Sequence, residues 1–99
     1  MNTINTLTME DVLVQCEGHI ASDMDGDKVM LSISKGKYYN LGEVGGTIWE
    51  ALQAPSSVKD VVNIIEATYE ISPEIAKKDV FKFLEQLLGE ALIRFADPA

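Results

Sequence analysis

One switch of hydrophobic period constrains this chain more than any other feature, and it lies in Lys35–Ala54, KGKYYNLGEVGGTIWEALQA. Up to Leu41 the apolar residues recur every second position, as in a strand with one buried face. From Glu43 onward they recur at three to four positions, as on one face of a helix. A glycine-containing turn separates the two regimes, and the helix that follows carries the only tryptophan, Trp49. Everything before the switch reads as sheet and everything after it as helix.

The sheet half reads as follows. Asp11–Glu17 places Val12, Val14 and Cys16 on one side and is expected to be a first strand. Gly18–Asp27 is polar and loop-like, ending in the turn signal Asp25-Gly26. Lys28–Ser34 alternates, with Val29, Leu31 and Ile33 opposite Met30, Ser32 and Ser34. Lys35-Gly36 reads as a two-residue turn into the strand Lys37–Leu41. Short turns between successive strands predict a three-stranded antiparallel meander.

The helical half has three segments. Glu43–Gln53 puts Val44, Ile48, Ala51 and Leu52 on one stripe with Trp49 beside it, and Ala54-Pro55 stops it. Ser56 or Ser57 caps a second helix to about Tyr69, with Val58, Val61, Val62, Ile65 and Tyr69 inward. Ser72-Pro73-Glu74 starts a third: Ser as N-cap, Pro at the first helical position and an acid in the first turn. It runs to about Ala91, and Leu92–Phe95 either extends it or forms a terminal strand. The predicted class is α+β, one domain over residues 1–99, with 1–10 and 96–99 expected to fray.

The third helix has more apolar surface than one packing face needs. One stripe is Phe81, Leu84, Leu88 and Leu92; the other is Ala76, Val80, Phe83 and Leu87. Two readings stay open: both stripes are buried, or one faces the core and the other lines a groove beside the sheet edge.

Charge and composition exclude several functions. Sixteen acids against eight bases give a net charge of −8, and neither half of the chain is basic. Such a surface repels phosphate, so neither nucleic acid nor an anionic membrane is an expected partner. Cys16 is the only cysteine and cannot form an intrachain disulfide, which fits a reducing cytoplasm. The start MNTINTLTMED lacks the basic and apolar blocks of a signal peptide. His19 is the only histidine, expected in a polar, solvated loop, and Cys16 is expected to be a buried structural thiol. Asp23-x-Asp25-Gly26-Asp27 resembles a calcium loop, but Lys28 and Ser34 stand where glycine and glutamate are required. Gly42, Gly45 and Gly46 lack the spacing of a phosphate cradle. No catalytic constellation, metal site or cofactor is expected. A winged-helix DNA-binding regulator is disfavoured, because the third helix has no Arg or Asn before Arg94. An acidic acyl carrier lacks its Asp-Ser-Leu here.

Residues 28–95 resemble the PqqD-like family, the recognition elements of ribosomally made, modified peptides. The resemblance is carried by KVMLSISKGKYYNL, by Gly46 with Ile48-Trp49 and Leu52, by the serine-capped second helix, and by Asp79-Val80-x-x-Phe83-Leu84-x-x-Leu87-Leu88 with Leu92-Ile93. Gly42 departs from the asparagine common in relatives after the strand's Leu41. The resemblance implies a three-stranded sheet and three helices, similar to a winged helix. It also implies a non-catalytic adaptor that binds the leader segment of a precursor peptide. The leader would add as a strand to Lys37, Tyr38, Tyr39, Asn40 and Leu41 and pack against the third helix. Ala76, Val80, Phe83 and Leu87 would then form its apolar pocket, and Asp79 would accept a hydrogen bond. Among family members the chain most resembles the free-standing B1-type proteins of lasso-peptide biosynthesis. That implies a leader peptidase of the transglutaminase-like cysteine protease kind and a macrocyclase as partners. The alternative is a chaperone for a radical SAM peptide-modifying enzyme. An open strand edge also allows a homodimer.

Overall fold

The computed structural model describes residues 7–96. The element order is β1 (Val12–Gln15), β2 (His19–Met24), β3 (Asp27–Ser32), β4 (Lys37–Leu41), α1 (Gly42–Ala51), β5 (Ser56–Ser57), α2 (Val58–Tyr69), α3 (Pro73–Gly89) and β6 (Ile93–Phe95). The class is α+β, with strands in two antiparallel three-stranded sheets, β5-β1-β6 and β2-β3-β4.

The meander exists, but its first strand is not the expected one. Val12–Gln15 pairs with β5 and β6 in the other sheet, Leu13 lying opposite both Ser56 and Phe95. The meander instead begins at His19–Met24, inside the stretch read as a loop. Five of its six residues are exposed, so no apolar alternation marks it. Its signal is the turn: Asp25 and Gly26 both have positive φ, 54° and 90°, the geometry of a two-residue hairpin turn. The next turn spans four residues, 33–36, and leaves Ile33 exposed. The inner face of β3 is Met30 and Ser32, both fully buried, while Val29 and Leu31 are half-buried on the outer face.

The strand-to-helix switch is made by local polar bonds. Gly42 has a φ of +74°, a left-handed conformation that glycine adopts without steric cost. Its N–H donates to Asn40 Oδ1 at 2.9 Å. On α1, Ile48 and Trp49 are buried, as is Leu52 just beyond it; Val44, expected inward, is exposed. Ser57 caps α2 by accepting from the Asp60 N–H at 3.1 Å, and Ser72 caps α3 by accepting from the Ile75 N–H at 3.3 Å. Tyr69 reaches back from α2 to Thr47 on α1, hydroxyl to hydroxyl, at 2.7 Å.

The core joins Leu13, Met30, Ile48, Trp49, Leu52, Val58, Val61, Val62, Ile65, Ala76, Val80, Leu84, Leu87, Leu92 and Ile93. Residues 7–10, expected to fray, are docked on it: Leu7 is 4% exposed, and the Lys59 N–H bonds the Met9 carbonyl at 3.0 Å. Ala96, also expected to fray, donates its N–H to the Val12 carbonyl at 2.9 Å; the remainder of that expectation, residues 1–6 and 97–99, lies outside the described residues. His19 is not in a solvated loop. It is half-buried on β2, with its ring edge-on to Trp49 at 5.7 Å and Nδ1 3.0 Å from the Cys16 carbonyl. Cys16 is half-buried as well. No helix among the described residues is long and apolar enough to cross a membrane.

Candidate functional site

β4 is an edge strand. It pairs with β3 on one side, from Ser32–Lys37 to Val29–Asn40, and among the described residues its other side has no strand partner. Pairing on one side leaves alternate backbone N–H and C=O groups along Lys37–Leu41 free to bond a further strand. Side chains alternate about this edge. Tyr39 and Leu41 turn inward, half-buried against the core, whereas Tyr38 is 75% exposed.

Beside the edge runs a groove of about 690 Å³. One wall is Tyr38–Leu41 of β4; the other is the C-terminal half of α3, with Phe83, Gln86, Leu87 and Gly89, and its C-cap Glu90, with Leu92 completing the lining. Phe83 is its large apolar surface. The ring is half-buried, packed against the core cluster and against Gly45 of α1. A Cβ placed on Gly45 would lie only 2.7 Å from Phe83 Cζ. A Cβ on Gly46 would lie 2.5 Å from Lys28 Cβ, so Gly46 lets α1 press directly onto β3.

A polar clasp closes one end of the groove. The Tyr39 hydroxyl donates to Glu90 Oε1 at 3.1 Å. The Lys35 ammonium donates to the Glu90 carbonyl and stands 4.0 Å from its carboxylate. Both contacts tie the end of α3 to the β3–β4 hairpin. Burial of the phenol, and then its bond to the Glu90 carboxylate, hold the Tyr39 pKa above the ordinary tyrosine value. At the far end of the hairpin, Lys28 lies between Glu50 and Asp23, with Nζ 2.5 Å and 2.9 Å from their carboxylates. Those two bonds raise its pKa, Glu50 more than Asp23.

The residues read as a site from sequence are only partly brought together here. Lys37 to Leu41 form the open edge, and Tyr38–Leu41, Phe83 and Leu87 line the groove. Ala76 and Val80 do not: they are 0% and 1% exposed and belong to the core. The two apolar stripes of α3 are therefore cut differently from either reading. Ala76, Val80, Leu84 and Leu87 form the buried ridge, Phe83 stands on the groove flank, and Phe81 and Leu88 stand half-buried elsewhere. α2 packs against α3, and its buried Val61, Val62 and Ile65 share one core cluster with the ridge. Asp79 is exposed one helical turn before Phe83 on the same flank; it does not line the groove but continues its wall. Sequence reasoning missed Gln86 and Glu90. Their signal is the spacing 79, 83, 86, 90, a single helix face.

Comparison with known proteins gives three solved structures of the same fold. TbiB1 in complex with the TbiA(beta) leader peptide is 26% identical, with a TM-score of 0.73 over 85% of this chain and 99% of that one. A lasso peptide synthetase B1 complexed with the leader peptide is 20% identical, with a TM-score of 0.71 over 83% and 96%. The PqqD truncation of Methylobacterium extorquens PqqCD, a stand-alone RiPP recognition element, is 16% identical, with a TM-score of 0.74 over 90% and 95%. No curated protein sequence matches the chain. The family model of coenzyme PQQ synthesis protein D matches residues 27–93, which take in the whole of β3, β4, α1, α2 and α3. The chain belongs to the PqqD family.

Proposed function

We propose that this protein is a non-catalytic adaptor that binds the leader segment of a ribosomally made precursor peptide. The leader adds as a fourth strand to the free edge of β4 and sets apolar side chains into the groove against α3. The observation that carries this reading is the continuity of the unpaired edge Lys37–Leu41 with the Phe83–Leu87 wall. Backbone bonds alone supply about 0.5–1.5 kcal/mol each, too little to order a flexible leader. Each buried apolar anchor adds about 1.5–3 kcal/mol, so two or three anchors with the strand reach submicromolar affinity. Phe83, Leu87, Tyr39 and Leu41 are the anchor surface, and Asp79 extends it toward the start of α3. Ala76 and Val80 act only by holding the ridge beneath.

The similarity to TbiB1, whose structure contains the TbiA(beta) leader peptide, supports leader binding, and the pathway this reading assigns is lasso-peptide biosynthesis. There the adaptor presents the bound leader in the cytoplasm to a leader peptidase of the cysteine protease kind and to a macrocyclase. Membership of the PqqD family also supports a second reading, a chaperone for a radical SAM peptide-modifying enzyme. Co-purification with each enzyme class in the presence of precursor separates the two.

The test of leader binding uses a random dodecapeptide display library panned on the immobilised domain. The best enriched peptide is then titrated into ¹⁵N-labelled protein. We expect an extended peptide with two or three apolar residues, and shifts concentrated on Lys37–Leu41 and Phe83–Glu90. No enrichment, or shifts confined to other elements, would overturn the reading. Light scattering of the free protein tests the competing use of the same edge, a β4–β4 homodimer, which the −8 charge of each copy opposes.

A further inference from the structure

We infer that Gly45, on α1 and outside the groove wall, sets the size of side chain the groove admits by seating the ring of Phe83. This rests on the peptide-binding reading above and adds a specificity-determining residue to it.

A missing methyl group makes the seat for the ring. The tip of the Phe83 ring points end-on at Gly45: a Cβ there would stand 2.7 Å from Cζ, 3.1 Å from Cε1 and 3.3 Å from Cε2. Real Cβ contacts essentially never fall below 3.0 Å, so a side chain at position 45 forces the tip of the ring to shift. Gly45 has helical backbone, with no positive φ to require glycine. A glycine inside a helix costs about 0.5–1 kcal/mol relative to alanine. Here that cost creates a notch, and Phe83 fills it.

The direction of expulsion follows from the surroundings. On the core side of Phe83 stand Val80, Leu84 and Leu87, all buried. Close-packed neighbours do not yield easily, and the groove is the open side. The displaced ring therefore swings toward β4 and fills the space in which a guest side chain would sit. The notch at Gly45 and the depth of the groove are one geometric quantity. A bulky leader anchor needs the ring retracted, whereas a small anchor tolerates it in either position.

The probe is the display-selected dodecapeptide of the previous section, together with a copy in which its largest apolar residue is alanine. We expect Gly45→Ala to weaken the parent peptide at least tenfold and the alanine copy less than threefold. Gly45→Ala/Phe83→Leu, in which the shorter side chain clears the methyl, should regain at least half of the lost affinity on a logarithmic scale. Phe83→Tyr attacks the same contact from the other side, adding an oxygen at the ring tip, and should show the same size-selective loss. It stands in if Gly45→Ala proves unfolded by circular dichroism. A nuclear Overhauser contact between Phe83 Hζ and the Gly45 Hα protons in the peptide-free wild type reports the seating independently. Equal weakening of both peptides, unchanged affinity in both single variants, or absence of that contact would overturn the inference. A wild-type domain that binds no peptide but shows the contact would refute the functional reading and leave the seating of Phe83 established.

Discussion

Replacing Phe83 with alanine separates the groove from the fold, because the ring is shared between them. Full burial of a phenylalanine makes its truncation cost about 3–5 kcal/mol. Phe83 is only half-buried, so we expect about 1.5–2.5 kcal/mol of lost stability. A small domain of this size has about 5–15 kcal/mol to lose, so the variant remains folded. In the complex the remaining ring surface is covered by the guest, and that surface is worth about 1.5 kcal/mol or more. Since about 1.4 kcal/mol is a factor of ten, affinity for the selected peptide should fall at least tenfold. Fluorescence anisotropy with labelled peptide measures the affinity, and urea unfolding followed by circular dichroism measures the stability. The reasoning is refuted if the variant unfolds cooperatively at reduced midpoint yet binds within twofold of wild type. That outcome would make Phe83 a core residue and place the guest elsewhere.

Other consequences can be measured directly. Gly46→Ala forces a methyl into Lys28 Cβ, close to the β3 backbone, and should cost about 1–3 kcal/mol in urea unfolding; a neutral result would mean α1 is not pressed onto β3. Ser72→Ala removes the cap of α3 and should cost about 0.5–2 kcal/mol, whereas Tyr38→Ala, on the exposed face, should stay within about 0.5 kcal/mol. The raised values of Lys28 and Tyr39 both make the protonated forms the native ones. Their contribution is complete below about pH 10 and is lost as pH climbs through the raised folded values. The urea midpoint of wild type should fall as pH rises above about 10, and Lys28→Met with Tyr39→Phe should flatten that decline; an equally steep decline in the double variant would show that neither group governs it.

How much of this was legible in the sequence depended on whether the signal was local. Ser72-Pro73-Glu74 marks the start of α3 by its own chemistry, and KYYNL followed by Gly42 marks the strand-to-helix switch. β2 was not legible from hydrophobicity, since HIASDM is solvated along nearly its whole length. It was legible only through Asp25-Gly26, a turn that needs a strand on each side. β1 reads as a strand because its period is two, but period does not name a partner. Its partners begin 44 and 81 positions after its first residue, at Ser56 and Ile93. The open edge at Lys37–Leu41 followed from strand order. The choice among the α3 residues did not, because burial of Ala76 and Val80 depends on what packs against α3, and no periodicity within α3 records that.

The sheet that joins β1 to β5 and β6 has a kinetic corollary. The hairpins β2–β3–β4 close through loops of a few residues and can form in microseconds. Leu13, by contrast, must wait for residues 93–95 to arrive, and ring closure over so long a span is entropically slow. A nascent chain would thus display the receptive border of KYYNL before its hydrophobic interior is sealed. Pulse-labelled hydrogen exchange, with amides of residues 28–31 protected ahead of Gln15 and Cys16, would reveal that order of events.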